Sequence, residues 1–151
     1  MPDGRADPQH KYVEIRIEKR EPEDDQSKNA GSVIPGNLRA RRLDEITWFV
    51  SQRVSPPPPS ALPPADKDYS VSARRLPHVT LTLIFKENRH PFVDQKNFQL
   101  VSQQDGLITA KVMIGPADGK EEQYYHYGFE VKENDKVILK DVHCPEIIIQ
   151  R

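Results

Sequence analysis

Apolar and polar residues alternate with a period of two along most of this chain, and no segment sustains the 3.6-residue period of a capped amphipathic helix. Over residues 12–19, Val13, Ile15 and Ile17 fall on one side and Glu14, Arg16 and Glu18 on the other. The alternation returns at Leu38 and Ala40, breaks at a short turn at Leu43-Asp44, and resumes with Ile46, Trp48 and Val50 opposite Thr47, Phe49 and Ser51. Residues 78–86 give the cleanest strand, with Val79, Leu81, Leu83 and Phe85 on one face and Thr80, Thr82 and the apolar exception Ile84 on the other. Tyr125, Tyr127, Phe129 and Val131 mark a further strand, which Glu133-Asn134-Asp135 turns into residues 137–140. The last strand, 146–150, points Ile147 and Ile149 inward and Ile148 outward.

Between these segments the turn residues set the expected connections. Residues 97–102 and 107–115 read as the arms of a hairpin around Gln103-Gln104-Asp105-Gly106, because Asp-Gly suits a tight turn, with Ile108, Ala110, Val112 and Ile114 as the buried set. Residues 20–36 carry Pro22, Gly31, Pro35 and Gly36 and read as a long polar loop. Within residues 52–70 the run Ser-Pro-Pro-Pro-Pro-Ser-Ala-Leu-Pro-Pro fixes φ near polyproline II and offers almost no amide donors, which predicts an exposed, stiff loop. The pattern as a whole predicts a polar, disordered arm at 1–10 and one all-β domain at 11–151. That domain is a Greek-key β-sandwich of seven to nine short strands with no substantial helix, its core centred on Trp48, Leu81, Leu83, Val112, Tyr127 and Phe129.

Composition narrows the function classes. A chain of 151 residues suits one domain with a real core. With 22 basic and 23 acidic side chains the formal charge is −1, so no overall field favours nucleic acid or an anionic membrane. No apolar run is long enough for a transmembrane helix, residues 1–9 lack the apolar core of a signal peptide, and Cys144 stands alone; these features together predict a cytoplasmic protein without a disulfide.

Two stretches carry a resemblance. Leu43-Asp44-Glu45-Ile46-Thr47-Trp48 is similar to the turn and apolar-x-Trp strand of cupredoxin-like sandwiches, with Leu43 where those proteins write glycine, and Tyr125-His126-Tyr127 resembles the Tyr-x-Tyr strand that leads to their copper-binding cysteine. Residues 129–149 resemble the small bacterial DP-EP family of unassigned function, with Asp141-Val142-His143-Cys144-Pro145-Glu146 in the place of its terminal dipeptides. The resemblance implies an immunoglobulin- or cupredoxin-like sandwich and raises the question of a metal. A blue-copper site needs two histidines and a thiolate converging at one end of the sandwich. The strand here continues Gly128-Phe129-Glu130-Val131, without cysteine, and Cys144 has no histidine or methionine after it. The side chains open to an atypical metal site are His78, His126, His143 and Cys144, and they show no Cys-x-x-Cys or His-x-x-x-His spacing. No cofactor is expected.

Other chemistries find little support. No Gly-x-Ser-x-Gly elbow or nucleotide-cradling glycine loop is present, and Cys144 before Pro145 reads as a small apolar residue, so an enzyme around Cys144 and His143 stands only as an alternative. Arg39, Arg41, Arg42, Arg74 and Arg75, with Tyr124, are balanced by acids and predict no nucleic-acid surface. One short motif has a recognition mechanism: Arg53, Pro56 and Pro59 fit the basic-x-x-Pro-x-x-Pro pattern that aromatic grooves accept. Outward Phe49, Ile84 and Ile148 would make a subunit interface if they group. The expected function is a non-catalytic binding or assembly module with a protein partner or a second copy of itself. The alternatives are a degenerate metal-binding cupredoxin-like protein and an unrecognised enzyme.

Overall fold

A computed structural model describes residues 7–19, 29–53, 73–92, 99–140 and 145–151. Among them the backbone forms eleven strands: β1 His10–Lys19, β2 Ala30–Ile34, β3 Asn37–Arg41, β4 Glu45–Arg53, β5 Ala73–Arg75, β6 Thr80–Phe85, β7 Gln99–Val101, β8 Leu107–Lys111, β9 Glu122–Glu133, β10 Lys136–Lys140 and β11 Glu146–Gln150. The one helical element described is a 3-10 turn at Lys86–Asn88. No helix among the described residues is long and apolar enough to cross a membrane. The molecule is an all-β sandwich, as the alternation predicts, with more strands than the seven to nine expected.

Two mixed sheets pack face to face. The first runs β2-β1-β4, with β5 and β8 sharing the far side of β4; the second runs β3-β11-β9-β6-β7, with β10 beside the second half of β9. Two pairs are parallel, β1 with β4 and β3 with β11. The chain changes sheet at the turn between β3 and β4. There Leu43 takes φ 79°, the left-handed region that favours glycine. The buried Asp44 carboxylate holds that turn, accepting the Gln9 and Arg41 amides at 2.9 Å each.

The core lies between the sheets and is built from the period-2 residues. Val13, Ile15, Ile46, Trp48, Val50, Leu81, Leu83, Val112, Tyr127, Val131, Ile147 and Ile149 are fully buried, and Phe129 nearly so. Trp48 sits at the centre, edge-on to Phe92 at 5.9 Å and to Tyr127 at 6.1 Å, and its Nε1–H donates to the Tyr127 hydroxyl at 3.3 Å. The Ile-x-Trp and Tyr-x-Tyr stretches thus meet across the two sheets.

Several expectations give way. Residues 30–34 of the expected long loop form β2, paired antiparallel with β1, because Val33 and Gly31 find partners in Ile15 and Ile17. The expected hairpin of 97–102 and 107–115 does not form. β7 pairs with β6 in the second sheet and β8 with β4 in the first, so the Asp105-Gly106 turn links sheets rather than adjacent strands. Of its expected buried set, Ile108 and Val112 are buried, Ala110 is half-buried, and Ile114 is 46% exposed because β8 ends at Lys111. Ile148 points outward yet is buried, flanked on the outer face by its register partners Arg39 and Tyr124. Phe49 lies on the outer face of the first sheet, with Ile84 and Ile148 on that of the second, so the three residues expected to make one interface do not group. The proline run of residues 55–64 lies outside the described residues.

Candidate functional site

The two long sides of the sandwich differ. On one side β2 closes against β10. The Asn29 side-chain amide donates to the Ile138 carbonyl at 2.5 Å, and a Cβ on Gly31 would stand 2.5 Å from a Leu139 methyl, so glycine is what permits this approach. Ile138 and Leu139, consecutive residues, are both buried through a register shift in β10. On the other side β7 and β8 are the outermost strands of their sheets among the described residues. Between them opens a groove of about 420 Å³ lined by Leu100, Val101, Ser102, Gln103, Asp105, Leu107, Ile108 and Thr109. Val101 is 59% exposed there, more than any other large apolar side chain described.

The connection that shapes this groove is tightly held. Buried Ser102 exchanges main-chain and side-chain bonds with Leu81: its amide donates to the Leu81 carbonyl at 2.8 Å, and its hydroxyl accepts the Leu81 amide at 2.7 Å. The Asp105 carboxylate accepts the Leu107 amide at 3.1 Å, an Asx turn. Gly106 sits at φ 65°, and a Cβ there would lie 3.0 Å from Val79 and 3.2 Å from the Leu76 carbonyl. Arg75 Nη2 donates to the Asp105 carbonyl at 3.1 Å. The groove is therefore pre-formed, not a slack loop.

Elsewhere the polar clusters are structural in geometry. On the outer face of the first sheet, Arg16 makes two parallel 3.0 Å bonds to Glu14, whose carboxylate also accepts the Ser51 hydroxyl at 2.6 Å. Burial alone would raise the Glu14 pKa, but the Arg16 and Ser51 bonds outweigh it and hold the carboxyl below its ordinary value. On the outer face of the second sheet, Glu122 accepts bonds from Tyr124, Gln150 and Arg39, which lower its pKa, while the bond to Glu122 raises that of Tyr124. Tyr124 is exposed and Glu122 half-buried.

The residues singled out from sequence scatter. Arg53 is exposed at the end of β4 and faces the Glu18 carboxylate at 3.5 Å; Pro56 and Pro59 lie outside the described residues. His126 is exposed on β9, 3.7 Å from the Glu146 carboxylate. His78 precedes β6 at its opposite end. Along β9, six residues separate His126 from Lys132, the partner of Thr80, so His126 and His78 lie on the order of 20 Å apart or more and cannot share an ion. His143 and Cys144 lie outside the described residues. No group of three histidine, cysteine or carboxylate side chains among the described residues is placed to hold a metal. The arginines divide as well. Arg39 and Arg41 flank β11, whereas Arg74 and Arg75 lie at the end of β4, and Arg39, Arg42 and Arg75 each already bond within the protein. Sequence reasoning passed over His90, which is buried, with Nδ1 accepting the Phe92 amide at 3.0 Å between the rings of Phe85 and Phe92. It also missed the groove, because a groove between two sheets has no signature in either strand. No protein-family model matches the chain, and a search of curated protein sequences found no significant match.

Proposed function

We propose that this protein is a non-catalytic binding module that uses the open side of its sandwich. One observation carries the reading. β2 and β10 interlock on one side, while β7 and β8 leave a pre-formed groove of about 420 Å³ beside exposed Val101 on the other. Edge strands present unpaired backbone groups that must be blunted or used. β3 is blunted by exposed Arg39 and Arg41, which would repel a like edge; β7 carries no charge at all in Gln99, Leu100 and Val101. A rigid groove beside such an edge binds with little loss of conformational entropy.

The test is a photo-crosslinking amino acid placed at position 101, and separately at Asp135 on the β9–β10 turn, in the protein expressed in cells. Adducts of defined mass from position 101 and none from 135 are the expected outcome. Equal labelling from both positions, or no adduct from 101, overturns the assignment.

A further inference from the structure

We infer that residues 89–92 form an acid-sensitive clasp between the two sheets, with His90 as the pin that a proton withdraws. The segment leaves the second sheet after β6 and reaches the first just beyond the Lys111 end of β8. There Phe92 pairs with Val112 in an isolated antiparallel bridge, and the Pro91 carbonyl accepts the Met113 and Ile114 amides at 2.9 and 3.1 Å. The Phe92 ring enters the core edge-on to Trp48 and Phe85, at 5.9 and 5.8 Å. One short stretch thus ties β6 to the chain that continues β8.

What makes the clasp titratable is the acceptor of the Phe92 amide, a ring nitrogen and not a carbonyl: buried His90 takes that bond on Nδ1 at 3.0 Å. A main-chain amide can only donate, so Nδ1 is bare and the ring hydrogen sits on Nε2. The imidazole is further fixed by its stack on the Phe92 ring, 5.7 Å between centroids and 22° from parallel, and by the edge-on Phe85 ring at 5.8 Å. A second proton, on Nδ1, sets donor against donor, strips the Phe92 amide of its acceptor and brings a charge into a buried site. The charged and titratable groups on the elements around the ring are Lys86, Glu87 and Arg89 on its own segment, Tyr125 and Tyr127 on β9, and Arg42 and Asp44 beside residues 112–114. Of these, Arg89 donates to the Tyr124 carbonyl, Tyr127 accepts from Trp48, Arg42 donates to the Met113 carbonyl, and Asp44 holds the Gln9 and Arg41 amides. The Phe92 amide is left to His90. The clasp is closed with the ring neutral and opens as the pH falls.

The experiment measures the protection of individual amides against hydrogen exchange in the wild-type chain and in H90N, at about pH 8 and about pH 5, the span across which histidine changes charge. Asparagine places Oδ1 where Nδ1 stood and accepts the Phe92 amide without titrating. Protection factors at Met113 and Ile114 are expected to fall about tenfold on acidification in wild type and to hold steady in H90N, with β9 and β11 unchanged in both. A fall of the same size in H90N, no fall in wild type, or a loss spread evenly over β9 and β11 overturns the proposal. A second measurement needs no variant: the His90 ring-carbon resonance of the wild-type chain is expected to titrate with the same midpoint as the fall in protection. Separate midpoints overturn the role of His90.

Discussion

Trp48 is held by its surroundings on every side: Phe92 and Tyr127 meet its ring edge-on, Ile108 is its register partner on β8, and its one polar atom donates to the Tyr127 hydroxyl. Deleting an indole from such a site removes its apolar burial, leaves a cavity that neighbours fill only in part, and strips the Tyr127 hydroxyl of a donor. Trp48→Ala is expected to lose about 3–5 kcal/mol, measured by urea unfolding monitored through far-ultraviolet circular dichroism. That is a large share of what a domain of this size possesses. An unchanged midpoint would move the centre of the core elsewhere. The period-2 pattern made this residue legible before any coordinates, since its neighbours at 46 and 50 point the same way. It did not make Ile148 legible as buried, because that residue is flanked by register partners 24 and 109 positions earlier in the chain, Tyr124 and Arg39.

Strand β1 shows how an element's polar face is organised. Glu14 and Arg16 are two residues apart, so they share the outer face and can bond side by side, while Ser51 reaches Glu14 from β4. The Glu14 pKa lies below its ordinary 4.5 in the folded chain. A depressed folded value means stability that is present above pH 4.5 and lost as the pH falls through the folded value. Glu14→Gln is therefore expected to cost about 1 kcal/mol at pH 7, and the gap from wild type should close as thermal melts are repeated downward from pH 4.5. A gap that stays constant to acid pH would separate the stability of β1 from this carboxylate. Elements were well legible here: every long alternation became a strand, and the Asn134-Asp135 turn, with φ 52° and 64°, closes the β9–β10 hairpin where expected. Partnership was not legible. Asp105-Gly106 looks like a hairpin turn because the local chemistry of turns is the same whether the next strand returns to the same sheet or crosses to the other. Likewise β2 is a strand only because β1 offers it a partner, with Gly31 allowing close approach to β10.

Across the whole molecule, the asymmetry between the two long sides should be visible as a difference in local opening. Where β2 meets β10, the Asn29–Ile138 bond and the contact of Leu139 with Gly31 tie one sheet to the other, so exposing an amide requires the sheets to part. Where β7 meets β8, three-residue β7 and five-residue β8 are each paired along one side only among the described residues, and the groove separates them. Amides near the global unfolding limit exchange slowly, and those on edges that open locally exchange fast. Native-state hydrogen exchange at neutral pH is expected to give slow exchange for β1 amides paired to β2 and at least a tenfold faster rate for β7. Core amides of β4 and β9 should be the slowest of all. The groove itself, by contrast, should persist through this opening, because the Ser102 and Asp105 bonds pin its connection independently of the edge. Equal exchange rates for β1 and β7 would instead remove the asymmetry between the two sides.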